Sequence, residues 1–363
     1  MALDARSLAW ATLAHKALPQ RALVSLLRAH GDPEAILRLS RAELAKTIPP
    51  VAVDRALAPV DPGAIERTSR WLDHPDHHLI AWDDNDFPQA LLALGNAPPA
   101  LFHIGRRDLL NRPAFAIVGS RHGTPQGLEN AREFAHALAN AGLAIVSGLA
   151  LGIDAAAHEG ALPTEASTMA IVATGLDRVY PARNRDLATR IAKDGALVSE
   201  YLPGTPPRKE NFPQRNRLIS GLSCGVLVVE ATLSSGSLIT ARLGGEQGRD
   251  VFAIPGSIHS PFSKGCHKLI REGAKLVETA DDILGELALP LQETRPSDSR
   301  DVSIDASENP ILAAMGYDPV GVDALVARTD APAETIAAAL VTLELEGDVA
   351  ALPGGRWQRL RRG

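Results

Sequence analysis

Between residue 114 and about residue 278, short apolar runs that end in Gly or Ser alternate with stretches of helical spacing. "AFAIVG" (114–119) has the pattern of a strand buried on both faces. Thr124 and Pro125 then supply an N-cap and a first helical residue, and Leu128, Ala131, Phe134, Ala135, Leu138 and Ala141 follow helical spacing until Gly142. "LAIVSG" (143–148) predicts the next strand, with a helix starting near Gly152–Asp154. "TMAIVA" (168–173), "ALVSEY" (196–201), "GVLVVEA" (225–231) and "DVFAIPG" (250–256) predict four more. Strands apolar on both faces and separated by helices predict a parallel sheet covered on both sides, an α/β fold of the Rossmann-like kind.

The two ends read differently. Residues 1–60 carry leucines at helical spacing broken at Pro19, Pro33 and Pro49–Pro50. This predicts a small bundle of the SAM-like or helix-hairpin-helix kind, for packing or for DNA binding. Residues 61–86 are acidic and contain His74, His77 and His78; we read them as a solvated connection rather than a metal site, because no second ligand cluster accompanies them. Residues 310–360 follow a winged-helix pattern, three helices and then two short strands around Pro353-Gly354-Gly355. The expected division is a SAM-like helical domain (1–65), a Rossmann-like domain for DNA binding and dimerisation (66–280), a linker (281–308) and a winged-helix domain (309–363).

Composition sharpens this picture. Of 363 residues only 7 Phe, 4 Trp and 3 Tyr are aromatic. That argues against a surface built on rows of base-stacking platforms. Cys224 and Cys266 show no metal or disulfide spacing. The chain shows no signal pattern and no apolar run long enough to span a bilayer, so we expect a cytoplasmic protein without a membrane partner. The net charge of −6 gives no bulk basic field, and composition alone suggests a soluble enzyme. The distribution of charge says otherwise. Residues 281–308 hold 8 acidic and 2 basic residues, whereas 201–277 hold 10 basic and 5 acidic ones, a local excess suited to a phosphodiester backbone. The segment 329–355, which includes the predicted recognition helix, contains five acids and no Lys or Arg; this favours protein contact over DNA reading.

Candidate chemistry gathers at the ends of the predicted strands. Gly119-Ser120-Arg121 offers close backbone approach, a hydroxyl and a guanidinium where a strand feeds a helix N-terminus, a place that favours an anion. Neither a GxGxxG fingerprint nor a Walker A loop is present. "RKENFPQRNR" packs Arg208, Lys209, Arg215 and Arg217 around one acid, with Phe212 as a base stacker or a core residue. "SSGS" (234–237) presents Ser235 and Gly236 before another helix. Asp154 and His158 lie one turn apart; without a nucleophile or carboxylate dyad, we read Asp154 as capping amides with His158 packed behind it.

Taken in order, "AIVGSR", "SGLALGIDAAAH", "TGLDRVYPARN", "SEYLPG", "NFPQRNRLISGLS", "SGSLITA", "GRDVFAIPG" and "KGCHKLIREGA" resemble the DNA-processing protein A (DprA/Smf) family over about 160 residues. The resemblance implies a protein that is not an enzyme and needs no cofactor. It implies binding of incoming single-stranded DNA in natural transformation, a homodimer formed through the Rossmann-like domain (here around 220–275), and loading of RecA recombinase in place of single-strand binding protein. The family's Gly-Ser/Thr-Arg contact falls on Gly119, Ser120 and Arg121. Its later basic contacts fall on Lys209 and Arg208, with Arg215 and Arg217 in its RNR segment and Arg183 near a further basic position. Two departures weaken the carry-over: Ala166-Ser167-Thr168 replaces a common Gly-Lys-Thr, and Gly265-Cys266-His267 a frequent GxN. Two alternatives remain. One is a nucleoside-monophosphate phosphoribohydrolase using Ser120, Arg121 and Glu230, although Pro255-Gly256-Ser257-Ile258-His259 lacks that enzyme pattern. The other is a winged-helix DNA-binding regulator.

Overall fold

The computed structural model describes residues 4–16, 18–94, 96–287 and 309–360. Six helices come first: α1 (Ala5–His15), α2 (Gln20–His30), α3 (Pro33–Arg38), α4 (Arg41–Leu44), α5 (Pro50–Leu57) and α6 (Pro62–Leu72). Caps and prolines set their starts. Asp4, Asp32, Ser40 and Asp61 each accept an amide at a first turn, and Pro33, Pro50 and Pro62 sit just inside a helix. Trp10, Leu13, Leu23, Leu26 and Ala52 form the apolar centre of this bundle, which continues onto Ala81 and Ala100 of the neighbouring sheet.

That sheet has nine strands: β1 (His77–Ala81), β2 (Ala100–Gly105), β3 (Ala114–Val118), β4 (Ala144–Ser147), β5 (Thr168–Ile171), β6 (Ala196–Ser199), β7 (Gly225–Val228), β8 (Asp250–Ala253) and β9 (Lys275–Leu276). Their order is β1-β2-β6-β5-β4-β3-β7-β8-β9. From β6 to β9 all neighbours are parallel, as the doubly apolar runs predict. Helices α7 (Gln89–Leu92), α8 (Pro125–Asn140), α9 (Ile153–Ala161), α10 (Arg185–Asp194), α11 (Asn211–Gly221), α12 (Ser237–Glu246), α13 (Lys264–Arg271) and α14 (Ala280–Leu284) accompany it. Two large apolar clusters result, one containing Ala116, Val146, Leu218 and Val226 and the other Phe115, Ile145, Phe134 and Leu138. Residues of β3, β4 and β7 alternate between the two, while β5 and β6 alternate between the first and a smaller cluster around Ala170, Ile191 and Leu197.

The antiparallel edge corrects the reading of 61–86. Helix α6 and strand β1 replace the expected solvated connection, and β1 pairs with β2, which pairs with β6. The acids that made the segment look solvated have local duties. Asp61 accepts the Gly63 amide at 3.0 Å, Asp84 accepts the Ala81 amide at 2.7 Å, and Arg6 pairs with both Asp83 and Asp84. The His77 ring stacks on Trp71 at 4.2 Å and beside His74 at 4.4 Å. Among the described residues no group of His, Cys, Asp or Glu is arranged to hold a metal.

Most of the expected linker 281–308 lies outside the described residues; its first part is helix α14, opened by a Thr279–Asp282 capping box. The chain then forms α15 (Pro310–Met315), β10 (Val320–Gly321), α16 (Val322–Thr329), α17 (Ala333–Glu346), β11 (Val349–Leu352) and β12 (Arg356–Arg359), with a sheet ordered β10-β12-β11. This is a winged helix. Helix α17 buries Ile336, Leu340 and Leu343 and turns Val341 and Leu345 outward. Among the described residues no helix is long and apolar enough to cross a membrane.

Candidate nucleic-acid interface

Strands β4 to β6 lie on one side of β3, and β7 to β9 on the other. The order therefore reverses between β3 and β7, and the loops leaving their carboxyl ends diverge to leave a crevice, the usual ligand position in such sheets. The Gly119–Ser120 loop leaves β3 and the loop at Glu230 follows β7; the Ser120 amide donates to the Glu230 carbonyl at 2.7 Å. A Cβ on Gly119 would stand 2.7 Å from Ile153 Cγ1 and 2.9 Å from that carbonyl, so only glycine permits the approach. The buried Ser120 hydroxyl accepts the His122 amide at 3.1 Å. That turn leaves Arg121 exposed.

The expectation that this turn offers the α8 N-terminus to an anion needs correction. Glu230 already occupies that end: its carboxylate accepts the Thr124 amide at 2.8 Å and the Thr124 hydroxyl at 2.7 Å, while Thr124 Oγ1 accepts the Gly127 amide at 3.0 Å. Burial pushes the Glu230 carboxyl up from its ordinary value, and the hydrogen bonds from Thr124 pull it back. The helix dipole is thus met by the chain's own acid, and the Arg121 side chain remains as the anion-seeking group of the loop.

Helix α11 supplies the second wall. Lys209, just before it, and Phe212, in its first turn, line the cavity, with the Arg121 guanidinium 5.7 Å from the Phe212 ring centroid. Arg121 and Lys209 have no ion-pair partner among the described residues. Arg208 and Arg183 are exposed but lie outside the cavity lining.

Arg215 and Arg217, both expected to contact phosphate, are tied into the fold: Arg215 lines the cavity while donating to the protein's own carbonyls, and Arg217 lies outside the lining. Arg215 is 5% exposed and donates to the carbonyls of Gly148 and Ile171, tying α11 to the ends of β4 and β5. Its neighbour Asp154 accepts the amides of Gly148 and Ala150 at 3.1 and 3.4 Å, the capping role expected of it, directed at the preceding loop. Burial lowers Arg215 to about 10 against the pull of Asp154, and burial raises Asp154 against the pull of Arg215. Behind them His158 Nδ1 lies 2.6 Å from Thr168 Oγ1, and full burial drives its pKa down to about 3, so it is neutral. Arg217 pairs with Glu200, and both side chains are largely buried.

The third wall is the segment before α12. Ser235 Oγ lies 2.7 Å from Ser237 Oγ, Gly236 is exposed, and the helix has no side-chain cap among its hydrogen bonds. Asn216 Nδ2 on α11 donates to the Gly236 carbonyl at 3.4 Å and joins the two walls. The three walls enclose about 650 Å³. Tyr180, His122 and Asn216 also line it, and no charge or spacing argument singled them out. The sequence carries one signal for Tyr180, an aromatic beside a proline in the loop after β5.

Comparison with known proteins agrees with the fold that carries this site. The model of the family "DNA recombination-mediator protein A" matches residues 78–288, and that of the "DprA winged helix domain" matches 280–355. Protein Smf of Escherichia coli is 43% identical over 308 residues, covering 82% of each chain. DNA processing protein DprA of Streptococcus pneumoniae is 50% identical over 203 residues, covering 56% of this chain and 72% of the relative. The X-ray structure of DNA processing protein A from Streptococcus pneumoniae superposes with a TM-score of 0.68 at 37% identity, covering 80% of this chain and 100% of that one. A structure described as giving insight into the unique single-stranded DNA binding mode of DNA processing protein A from Helicobacter pylori matches with a TM-score of 0.54 at 33% identity, covering 58% of this chain and 95% of that one.

Proposed function

The chain belongs to the DNA recombination-mediator protein A family, and on that premise we propose that the cleft between β3 and β7 holds single-stranded DNA by its phosphate backbone. Membership makes it a DNA-binding processing protein rather than an enzyme. The observation that carries the proposal is the convergence of Arg121, Lys209 and the Ser235–Gly236 segment on one cavity, with both cations free of carboxylate partners among the described residues. A guanidinium, an ammonium and hydroxyl-lined backbone suit phosphate oxygens and carry no base code. The single-strand binding described for the Helicobacter pylori relative supports the same reading.

The phosphoribohydrolase alternative loses its acid. A Glu230 carboxylate that accepts both the amide and hydroxyl of Thr124 is held as a helix cap, away from a ribose hydroxyl.

The reading extends to recombination during natural transformation: the bound strand is protected, the protein works as a homodimer, and RecA recombinase is loaded in exchange for single-strand binding protein. Acceleration of RecA filament formation on strands coated with single-strand binding protein tests that extension. Gly119, Ser120, Arg121, Lys209, Phe212, Ser235 and Gly236 form the proposed contact set, with Arg208 and Arg183 as outer cations. The test of the binding itself is a gel shift comparing single- and double-stranded DNA for wild type and Arg121→Ala. Preference for the single strand, weakened by the substitution, is expected; equal shifts by both proteins contradict the site.

A further inference from the structure

Helix α17 is the third helix of the winged-helix domain, the one that enters the major groove when such a domain reads duplex DNA. Its outward face is built for something else. Glu334, Ala338, Val341 and Leu345 follow one another at steps of three and four residues, with Ala337 beside them, so they share one side of the helix. All five are exposed, Val341 at 52% and Leu345 at 86%, while Ile336, Leu340 and Leu343 belong to the core of the domain. The outward side is thus an apolar strip, flat at the alanines and raised at Val341 and Leu345. Carboxylates border it: Glu334 opens it, and Glu344 and Glu346 adjoin Leu345 in sequence. Glu344 accepts the Ala351 amide at 3.2 Å, whereas exposed Glu334 and Glu346 form no ion pair among the described residues.

The strip gains free energy when it is covered, and the charge around it selects the cover. Duplex DNA is disfavoured, because its phosphates would meet these carboxylates with no Lys or Arg between 329 and 355 to neutralise them. A second copy of α17 would set glutamates against glutamates, and the acidic 281–308 segment carries the same sign. We propose that the outward face of α17 docks a partner protein through an amphipathic helix whose apolar stripe is bordered by Lys and Arg. Ala337 and Ala338 let the partner backbone come close, and Val341 and Leu345 enter between its apolar side chains. The border cations then meet Glu334 and Glu346. From Glu334 to Leu345 the strip runs about 16 Å, so about three turns of the partner helix cover it. The face lies in a different domain from the DNA cleft, and the inference goes beyond the single-strand reading without resting on it.

Fluorescence anisotropy with the full chain measures affinity for three labelled peptides: a leucine-alanine helix bordered by lysines, the same helix bordered by glutamates, and a scrambled lysine peptide of equal composition. A labelled DNA duplex is the fourth probe. The variants are Val341→Ser with Leu345→Ser, Glu334→Gln with Glu346→Gln, and Leu345→Met, with thermal melts to establish folding. Wild type and Leu345→Met should bind the lysine-bordered helix more tightly than either other peptide. The serine pair should lose about tenfold in that affinity, and the glutamine pair several-fold at low salt. Equal binding of the three peptides by wild type, or an affinity unchanged in the serine pair, overturns the proposal. Duplex binding that the serine pair abolishes makes α17 a DNA-reading face and overturns it too. So does a wild-type dimer that the serine pair splits in sedimentation, because the face then belongs to a second copy.

Discussion

Glu230, at the end of β7, reaches across the crevice to Thr124 at the start of α8, accepting its amide at 2.8 Å and its hydroxyl at 2.7 Å. Two loops on either side of the switch point are thereby fastened together beneath Arg121. The link also puts a carboxylate beside the proposed phosphate site. Glu230→Gln keeps the length and one of the two acceptor oxygens and removes the charge, so it should bind single-stranded DNA several-fold more tightly at low salt, with the gain fading as salt rises. Glu230→Ala should lose about 2 kcal/mol of stability through the orphaned Thr124 groups. Strand titrations and chemical denaturation measure the two effects.

Arg215 and Arg217 should behave as parts of the fold. Removing Arg217 strands the buried Glu200 carboxylate, and removing Arg215 orphans the buried Gly148 and Ile171 carbonyls and takes away the charge that favours ionised Asp154, so Arg217→Ala and Arg215→Ala should each cost about 3 kcal/mol or more in denaturant unfolding. Arg121→Ala and Lys209→Ala, at exposed positions, should change stability by less than about 0.5 kcal/mol. Near-equal stability of all four variants would remove the distinction between scaffold and surface cations.

Charge counting could not have drawn that distinction. Four cations in "RKENFPQRNR" are equivalent as a sequence, and what separates them is tertiary. Glu200 and Asp154 lie on distant segments and meet their arginines only when α11 packs over the ends of the strands. The parallel core was legible because a strand buried on both faces must be apolar at every position, as "AFAIV" and "GVLV" are. The antiparallel edge was hidden because His77, His78 and His103 interrupt its strands and because the acids around it serve as caps and bridges. The Gly119-Ser120-Arg121 turn was readable as a close approach. That its helix end is already filled depends on Glu230, more than a hundred residues away.

Acid should weaken the fold through His158. Its ordinary value of 6.5 falls to about 3 on folding. Between those values the unfolded chain binds more protons, and the contribution is lost as pH drops below 6.5. His103, lowered to about 4 by burial, acts in the same sense, whereas the raised carboxyls of Asp154, Glu200 and Glu230 act in the opposite one. The stability difference between wild type and His158→Gln isolates the histidine. It should be flat above pH 7 and fall by up to about 1.4 kcal/mol per pH unit below 6.5.

The winged-helix domain should contribute little to strand affinity. Helix α17 presents Val341, Leu345 and acids, with no cation from 329 to 355. Val341→Ser with Leu345→Ser in the full chain should therefore leave the dissociation constant for single-stranded DNA within twofold of wild type. A large loss in the same anisotropy titration would place α17 on the strand.

The salt dependence of binding tests the central claim most directly: the dissociation constant for a single-stranded oligonucleotide, measured across a range of salt concentrations for wild type, Arg121→Ala, Lys209→Ala and the double variant. A strand held by phosphate contacts gives a linear plot of log affinity against log salt. Each substitution should lower the slope by about 0.7 and weaken binding similarly on every sequence. A slope near zero for wild type, or one unchanged in the double variant, would contradict a phosphate-binding cleft at the β3/β7 switch point.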